Sequence, residues 1–104
     1  MLSLNESDIN ISKFDKLIVM FRADWCPFCR RFKPIFESYD QKAGIKLAEA
    51  VINDDENPLW DKFNIKIVPT LIAFYHSKEI GRRDGRFGRG LSKDDVESLM
   101  KEIA

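Results

Sequence analysis

The chain predicts an α/β fold built on one mixed sheet. Three observations carry that class: β-rich apolar runs alternate with segments of helical period, the first run feeds directly into a helix, and 104 residues leave room for one core. A hydrophobic content of 44%, with 12% aromatics, is enough to fill that core, so residues 1–104 are expected to form a single domain.

LIVMF at 17–21 is an unbroken apolar run, expected for a strand buried on both faces in mid-sheet. Phe32, Ile35, Phe36 and Tyr39 then fall at helical spacing, which predicts a helix from 26 to about 41 with Gly44 just past its end. Residues 45–53 alternate as a second strand, and Asn57 with Pro58 opens a short helix running to 63. TLIAFY at 70–75 is the third strand, after which 76–78 turn into a short edge strand at 79–83. Ser92 and Asp95 have capping-box spacing ahead of a last helix in which Val96, Leu99, Met100 and Ile103 share a face. This order predicts helices on both faces of the sheet, with a right-handed parallel first crossover. Ahead of residue 17, Ser7 or Asp8 can cap a small helix, which leaves only 1–4 for a leading strand, short or absent.

Both cysteines lie in ADWCPFCRR at 23–31, in the first turn of the predicted helix. Seventeen basic and seventeen acidic side chains cancel, so no overall field holds nucleic acid or an anionic membrane. The polar, acid-bearing start lacks a secretory pattern and no apolar stretch approaches bilayer length, so a monomer in the cytoplasm is expected. In a reducing cytosol a lone cysteine pair is a poor permanent staple, which leaves metal binding or redox exchange. Zinc needs about four ligands, and beyond Cys26 and Cys29 the chain offers only His76 and scattered carboxylates. Copper carriers with this spacer usually have a Met ahead of it, and none is there. An iron–sulfur cluster shared between two subunits needs only two thiolates from each and stays open. No other cofactor and no metal is expected.

Redox exchange needs one thiolate to attack a disulfide and a second thiol to resolve the mixed disulfide, and CxxC at a helix start supplies both. Cys26 is the attacker, placed where free N–H groups and the helix dipole lower a thiol pKa from ~8.5 into the range of roughly 3.5 to 7.5. Cys29, one turn in, resolves. Pro27 suits the first helical position but brings no N–H, so Phe28 and Cys29 must supply the donors.

The apolar strand followed by Ala23, Trp25, Cys26 and Cys29, and later by Val68, Pro69 and Thr70, resembles the thioredoxin superfamily over nearly the whole chain. Pro34 stands where that family kinks its active-site helix. The resemblance implies a thioredoxin-like fold and a thiol-disulfide oxidoreductase acting on disulfide-containing proteins. It also implies that Pro69 is cis and lies against the cysteines, that Val68, Pro69 and Thr70 hold an extended substrate segment by strand addition, and that Trp25, Pro27 and Phe28 rim the sulfurs. Asp24 and Lys66 flank this surface and read mainly as solvated positions.

Two departures stand out. Thioredoxins carry a buried acid before the motif, paired with a lysine on the next strand, and alignment puts Met20 and Ala50 at those positions. Without that relay Cys26 should ionise more readily, while Cys29 must lose its proton to water or the departing thiolate, aided by Glu49 if its side chain turns inward. The Pro-Phe spacer resembles glutaredoxins instead, which makes glutathione an alternative to a dedicated reductase as electron donor. Glutaredoxins, however, hold glutathione with a Gly-Gly and acidic segment, whereas this chain continues as GRRDGRFGRG at 81–90. That Gly/Arg stretch around Phe87 has a nucleic-acid flavour, but an edge strand protected by basic residues and a glycine loop near the active site explain it better. NDDEN at 53–57 lacks the spaced oxygens of a calcium loop and reads as a solvated turn, and His76 is remote from the cysteines by topology.

Overall fold

The computed structural model describes residues 2–4, 14–40 and 44–103. The chain runs β1 (Leu2–Leu4), β2 (Lys16–Arg22), α1 (Pro27–Glu37), β3 (Lys46–Val51), α2 (Leu59–Lys62), β4 (Thr70–Tyr75), β5 (Lys78–Asp84) and α3 (Lys93–Ile103). The five strands form one sheet in the order β1-β3-β2-β4-β5. β1 and β2 run parallel to β3, whereas β4 is antiparallel to both β2 and β5, so the sheet is mixed as expected. The leading strand exists but is three residues long. The helix anticipated at Ser7 or Asp8 lies outside the described residues.

The unbroken apolar run fits its position: β2 is paired on both edges and its residues 17–21 are fully buried. Alternation splits that strand between two cores. Ile18 and Met20 pack with Leu47, Leu71 and Ala73 against Phe32 and Phe36 of α1 and Val96, Leu99 and Ile103 of α3. Leu17, Val19 and Phe21 face the other way, with Ala48, Ala50, Ile72, Phe74 and Leu59 of α2. Phe63 closes this second core, its ring 5.3 Å from Phe21 and 5.7 Å from Phe74. Helices therefore cover both faces.

Two boundaries differ from the periodicity. Helix α1 stops at Glu37, short of 41, although Tyr39 keeps the apolar spacing. Pro34 lies inside the helix and brings no N–H. Beyond Glu37, Ser38 turns its hydroxyl back onto the Ile35 carbonyl, and Tyr39 and Asp40 bond three residues back, which tightens the chain out of the α-helix. Tyr39 instead reaches α3, donating to Glu97 at 2.8 Å. The second difference is the β4–β5 connection, a two-residue turn whose His76 and Ser77 both have positive φ, 50° and 72°. That is the backbone of a type I′ hairpin, hidden from the sequence because neither residue is the usual Asn or Gly. No helix among the described residues is long and apolar enough to cross a membrane.

Candidate active site

Strand β2 ends at Arg22, and the chain turns through Ala23, Asp24 and Trp25 before α1 starts, which carries both cysteines to one end of the sheet. Cys26 caps α1, with Pro27 at its first position. The N–H of Cys29 donates to the Cys26 sulfur at 3.3 Å, and the Cys26 thiol faces the Val68 carbonyl oxygen at 3.5 Å. Of the two donors expected there, only that of Cys29 reaches the sulfur among the described contacts. Both thiols are free. Cys26 is 4% exposed and Cys29 is fully enclosed, so only the Cys26 residue meets solvent, through a narrow opening. Burial first, and the Cys26 sulfur second, push the Cys29 thiol up to about 12, against smaller opposing effects of the Ala23 backbone and the Arg22 charge.

The Val68–Pro69 peptide is cis. Trp25, Pro27, Phe28, Ile67 and Val68 line a cleft of about 380 Å³ over Cys26, closed on the far side by residues of the 86–90 turn. Trp25 is 56% exposed and forms a wall, with its indole N–H fixed on the Asn53 carbonyl at 3.0 Å. Thr70, by contrast, is buried, and its hydroxyl donates to the Ile67 carbonyl at 2.7 Å. Its side chain shapes the Val68–Pro69 corner and does not face the cleft. His76 lies at the opposite end of β4, beside Asp15.

A charged network joins the end of β2 to β3 and the active-site turn, and of its members only Glu49 was singled out for this role by the sequence. Glu49 is 7% exposed, and its carboxylate accepts from Arg22 Nε at 2.7 Å, lies 3.6 Å from Lys33 Nζ and accepts from Ser3. Arg22 also holds Asp24 at 2.8 Å, and Asp24 exchanges two hydrogen bonds with Asn53, its N–H to Oδ1 and Nδ2 to its carboxylate. Arg30 donates to the Asp24 carbonyl. Asp24 and Asn53 are thus parts of the frame of the active-site turn, beyond the solvated roles their sequence context suggested. A signal was present: a glutamate in the apolar run LAEAV must be paired if that strand is buried, and an arginine ending the apolar strand LIVMFR is its neighbour-strand partner.

The register also revises the alignment of the missing relay. Met20 opposes Glu49 on β3, whereas Ala50 opposes Phe21 and faces the other core. Side chains at 20 and 50 therefore point to opposite faces, and Glu49 is the neighbour of Met20. Glu49 does turn inward, but as an occupied anion. Burial acts to raise its pKa, yet the Arg22 hydrogen bond and charge, with Lys33 and Ser3, hold it below the usual carboxylate range. Such a carboxylate is a weak base for Cys29. Among the described residues, no group of three or more His, Cys, Asp or Glu could hold a metal.

Comparison with known proteins gives the family. The Thioredoxin family model matches residues 2–102. The chain is 31% identical over 86 residues to a thioredoxin of Buchnera aphidicola, covering 82% of this chain and 79% of that protein. It is 32% identical over 91 residues to the chloroplastic thioredoxin X of Arabidopsis thaliana, covering 85% of this chain but only 50% of the plant protein. Among solved structures, Plasmodium falciparum thioredoxin superposes with a TM-score of 0.82 over 100% of both chains at 19% identity, a likeness of fold.

Proposed function

The chain belongs to the thioredoxin family and is a thiol-disulfide oxidoreductase; from that premise we propose that Cys26 attacks, Cys29 resolves and the Val68–Pro69 edge holds the substrate. The family acts on disulfide-containing proteins and draws its electrons from a reductase. The observation that carries the assignment is the asymmetry of the pair: Cys26 opens into the cleft beside the Val68 carbonyl, whereas Cys29 is enclosed behind it. Only Cys26 can meet a substrate sulfur.

In the forward direction the Cys26 thiolate attacks one sulfur of the substrate disulfide, forming a mixed disulfide and releasing the other sulfur as a thiolate. Cys29 then gives up its proton and attacks the Cys26 sulfur, forming the Cys26–Cys29 disulfide and expelling the second substrate thiolate. Two electrons pass to the substrate, and two from the donor restore the dithiol. Once Cys26 is in the mixed disulfide, its charge and hydrogen bond no longer oppose ionisation of Cys29, which leaves burial as the main opposition, and the departing thiolate or a water takes the proton. Trp25, Pro27 and Phe28 exclude water around the sulfurs, Val68 offers its backbone to an extended segment, and Thr70 keeps the Pro69 corner in place.

The test is reduction of a disulfide-bonded protein such as insulin. Cys26→Ser is expected to abolish turnover, and Cys29→Ser to accumulate a mixed disulfide on Cys26, seen by mass spectrometry. Turnover surviving in Cys26→Ser would refute the assignment. Recycling by thioredoxin reductase and by glutathione, measured separately, identifies the donor; we expect the reductase, because the segment after β4 is basic where glutathione carriers are acidic. We place the protein in the cytoplasm as a monomer, on the ground that a dithiol poised to reduce works where a donor keeps it reduced. Thiol trapping in cell fractions and sedimentation velocity check both points.

A further inference from the structure

We propose that the turn carrying Phe87 is a second jaw of the cleft, selecting extended disulfide segments that bear an apolar side chain next to acidic residues. The proposal rests on the oxidoreductase reading above and names its substrate class.

The turn is built onto the site. A Cβ on Gly85 would fall 2.6 Å from the Pro69 carbonyl oxygen, and one on Gly90 would fall 3.0 Å from Cβ of Phe28, so two glycines bring the chain against both walls of the cleft. Between them the turn is closed. Arg86 and Gly90 exchange backbone hydrogen bonds at 3.1 and 2.8 Å, and the Arg89 N–H bonds the Arg86 carbonyl at 2.9 Å. Gly88, at φ 75°, supplies the left-handed residue that a type II turn requires at its third position. The Arg86 guanidinium is anchored on the buried Asp95 by two hydrogen bonds, at 3.2 and 3.3 Å. On this fixed support Phe87 stands 96% exposed while still lining the same cleft as Trp25. A ring held in water on a braced turn beside a reactive sulfur is placed to cover an apolar side chain of whatever docks there.

Charge points to the rest of the partner. No residue lining the cleft is acidic. Arg89, Lys66 beside Ile67, and Arg31, whose guanidinium lies 5.6 Å over the Phe28 ring, have no acidic partner among the described residues. Asp24 is paired with Arg22 and accepts from Asn53, Asp95 is paired with Arg86, and the exposed acids of 54–56 follow Asn53 on the Trp25 side. A continuous basic track for nucleic acid is absent from this stretch: Arg82 is paired with Glu79 and Asp84, and Arg83 with Glu102. On the Phe28 and Phe87 side this leaves an apolar slot with separate cations at its rim, which fits one extended segment with acidic residues near its cysteine.

The experiment compares two peptide disulfides that share a leucine beside the cysteine and differ only in flanking Asp or Lys, alongside a small uncharged disulfide. At low salt kcat/KM is expected to favour the acidic peptide about tenfold, the preference shrinking toward parity near 1 M salt. Reversing the rim with Lys66→Glu and Arg89→Glu should invert the preference, and Phe87→Ala should lower the rate on both peptides relative to the small disulfide. Equal rates on the two peptides, with the small disulfide turned over, would overturn this proposal alone; failure on the small disulfide would remove the oxidoreductase reading and this one with it. Dimerisation lost in Phe87→Ala would also overturn it, since a second copy would then occupy the slot.

Discussion

At Cys29 the enclosed thiol, pushed up to about 12 by burial and then by Cys26, keeps its proton where the unfolded chain loses it near 9. The folded state binds more protons over that interval, so the stabilisation Cys29 provides is complete below about pH 9 and drains away as pH rises toward 12. Denaturation of the reduced protein and of Cys29→Ser from pH 7 upward should show the wild-type advantage shrinking above pH 9; a gap independent of pH would contradict the burial. Cys26 and Cys29 were legible as a pattern, because this chemistry ties residue type to spacing along one chain, and Trp25, Phe28 and Pro69 were legible through the family resemblance. Glu49 was legible as an acid in an apolar run, but its pairing with Arg22 was not, because that depends on strand register. A single step from 50 to 49 moves a side chain from one core to the other.

Among the elements, the 85–90 turn shows how a loop becomes part of a site. Glycine is required at 85 for close approach, since the neighbouring atom is the Pro69 backbone oxygen, which has no rotamer to yield. Gly85→Ala is expected to cost about 1–3 kcal/mol by overpacking. For a domain of this size that lowers Tm by roughly 4–8 °C per kcal/mol, and the backbone shift should slow disulfide reduction in parallel. A thermal melt and an activity assay on the same preparation check this, and unchanged values in both would mean that the turn is free to move off Pro69. The capping box at Ser92 and Asp95 was legible, and half of it is made: the Ser92 N–H donates to Asp95 at 2.8 Å, while the Ser92 hydroxyl donates to the same carboxylate instead of accepting from the Asp95 N–H. The Arg86 contact to that same carboxylate was not legible, since nothing local joins residues on opposite sides of a turn. The end of α1 likewise escaped the periodicity, because spacing records which side chains face the core and is silent on where backbone bonds shorten.

Across the whole molecule, stability should follow position in the sheet. β2 is paired on both edges between two cores, whereas β1 has three residues and β5 is an edge strand with mostly exposed side chains. Hydrogen exchange is expected to be slowest in β2 and its partners β3 and β4, and faster in β1 and β5. Protection of β5 equal to that of β2 would refute this hierarchy. The fold class, the element order and a cysteine pair at a helix start were legible in the sequence alone, because hydrophobic period and motif spacing are local properties of the chain, and the cis form of Pro69 followed from the family resemblance those motifs carry. Tertiary structure decided which face each strand residue takes, that Glu49 is an occupied anion joined through Arg22 to the active-site turn, and that Phe87 lines the same cleft as Trp25. Those facts follow from register and from close backbone approach, which bring together residues that no spacing rule along the chain connects.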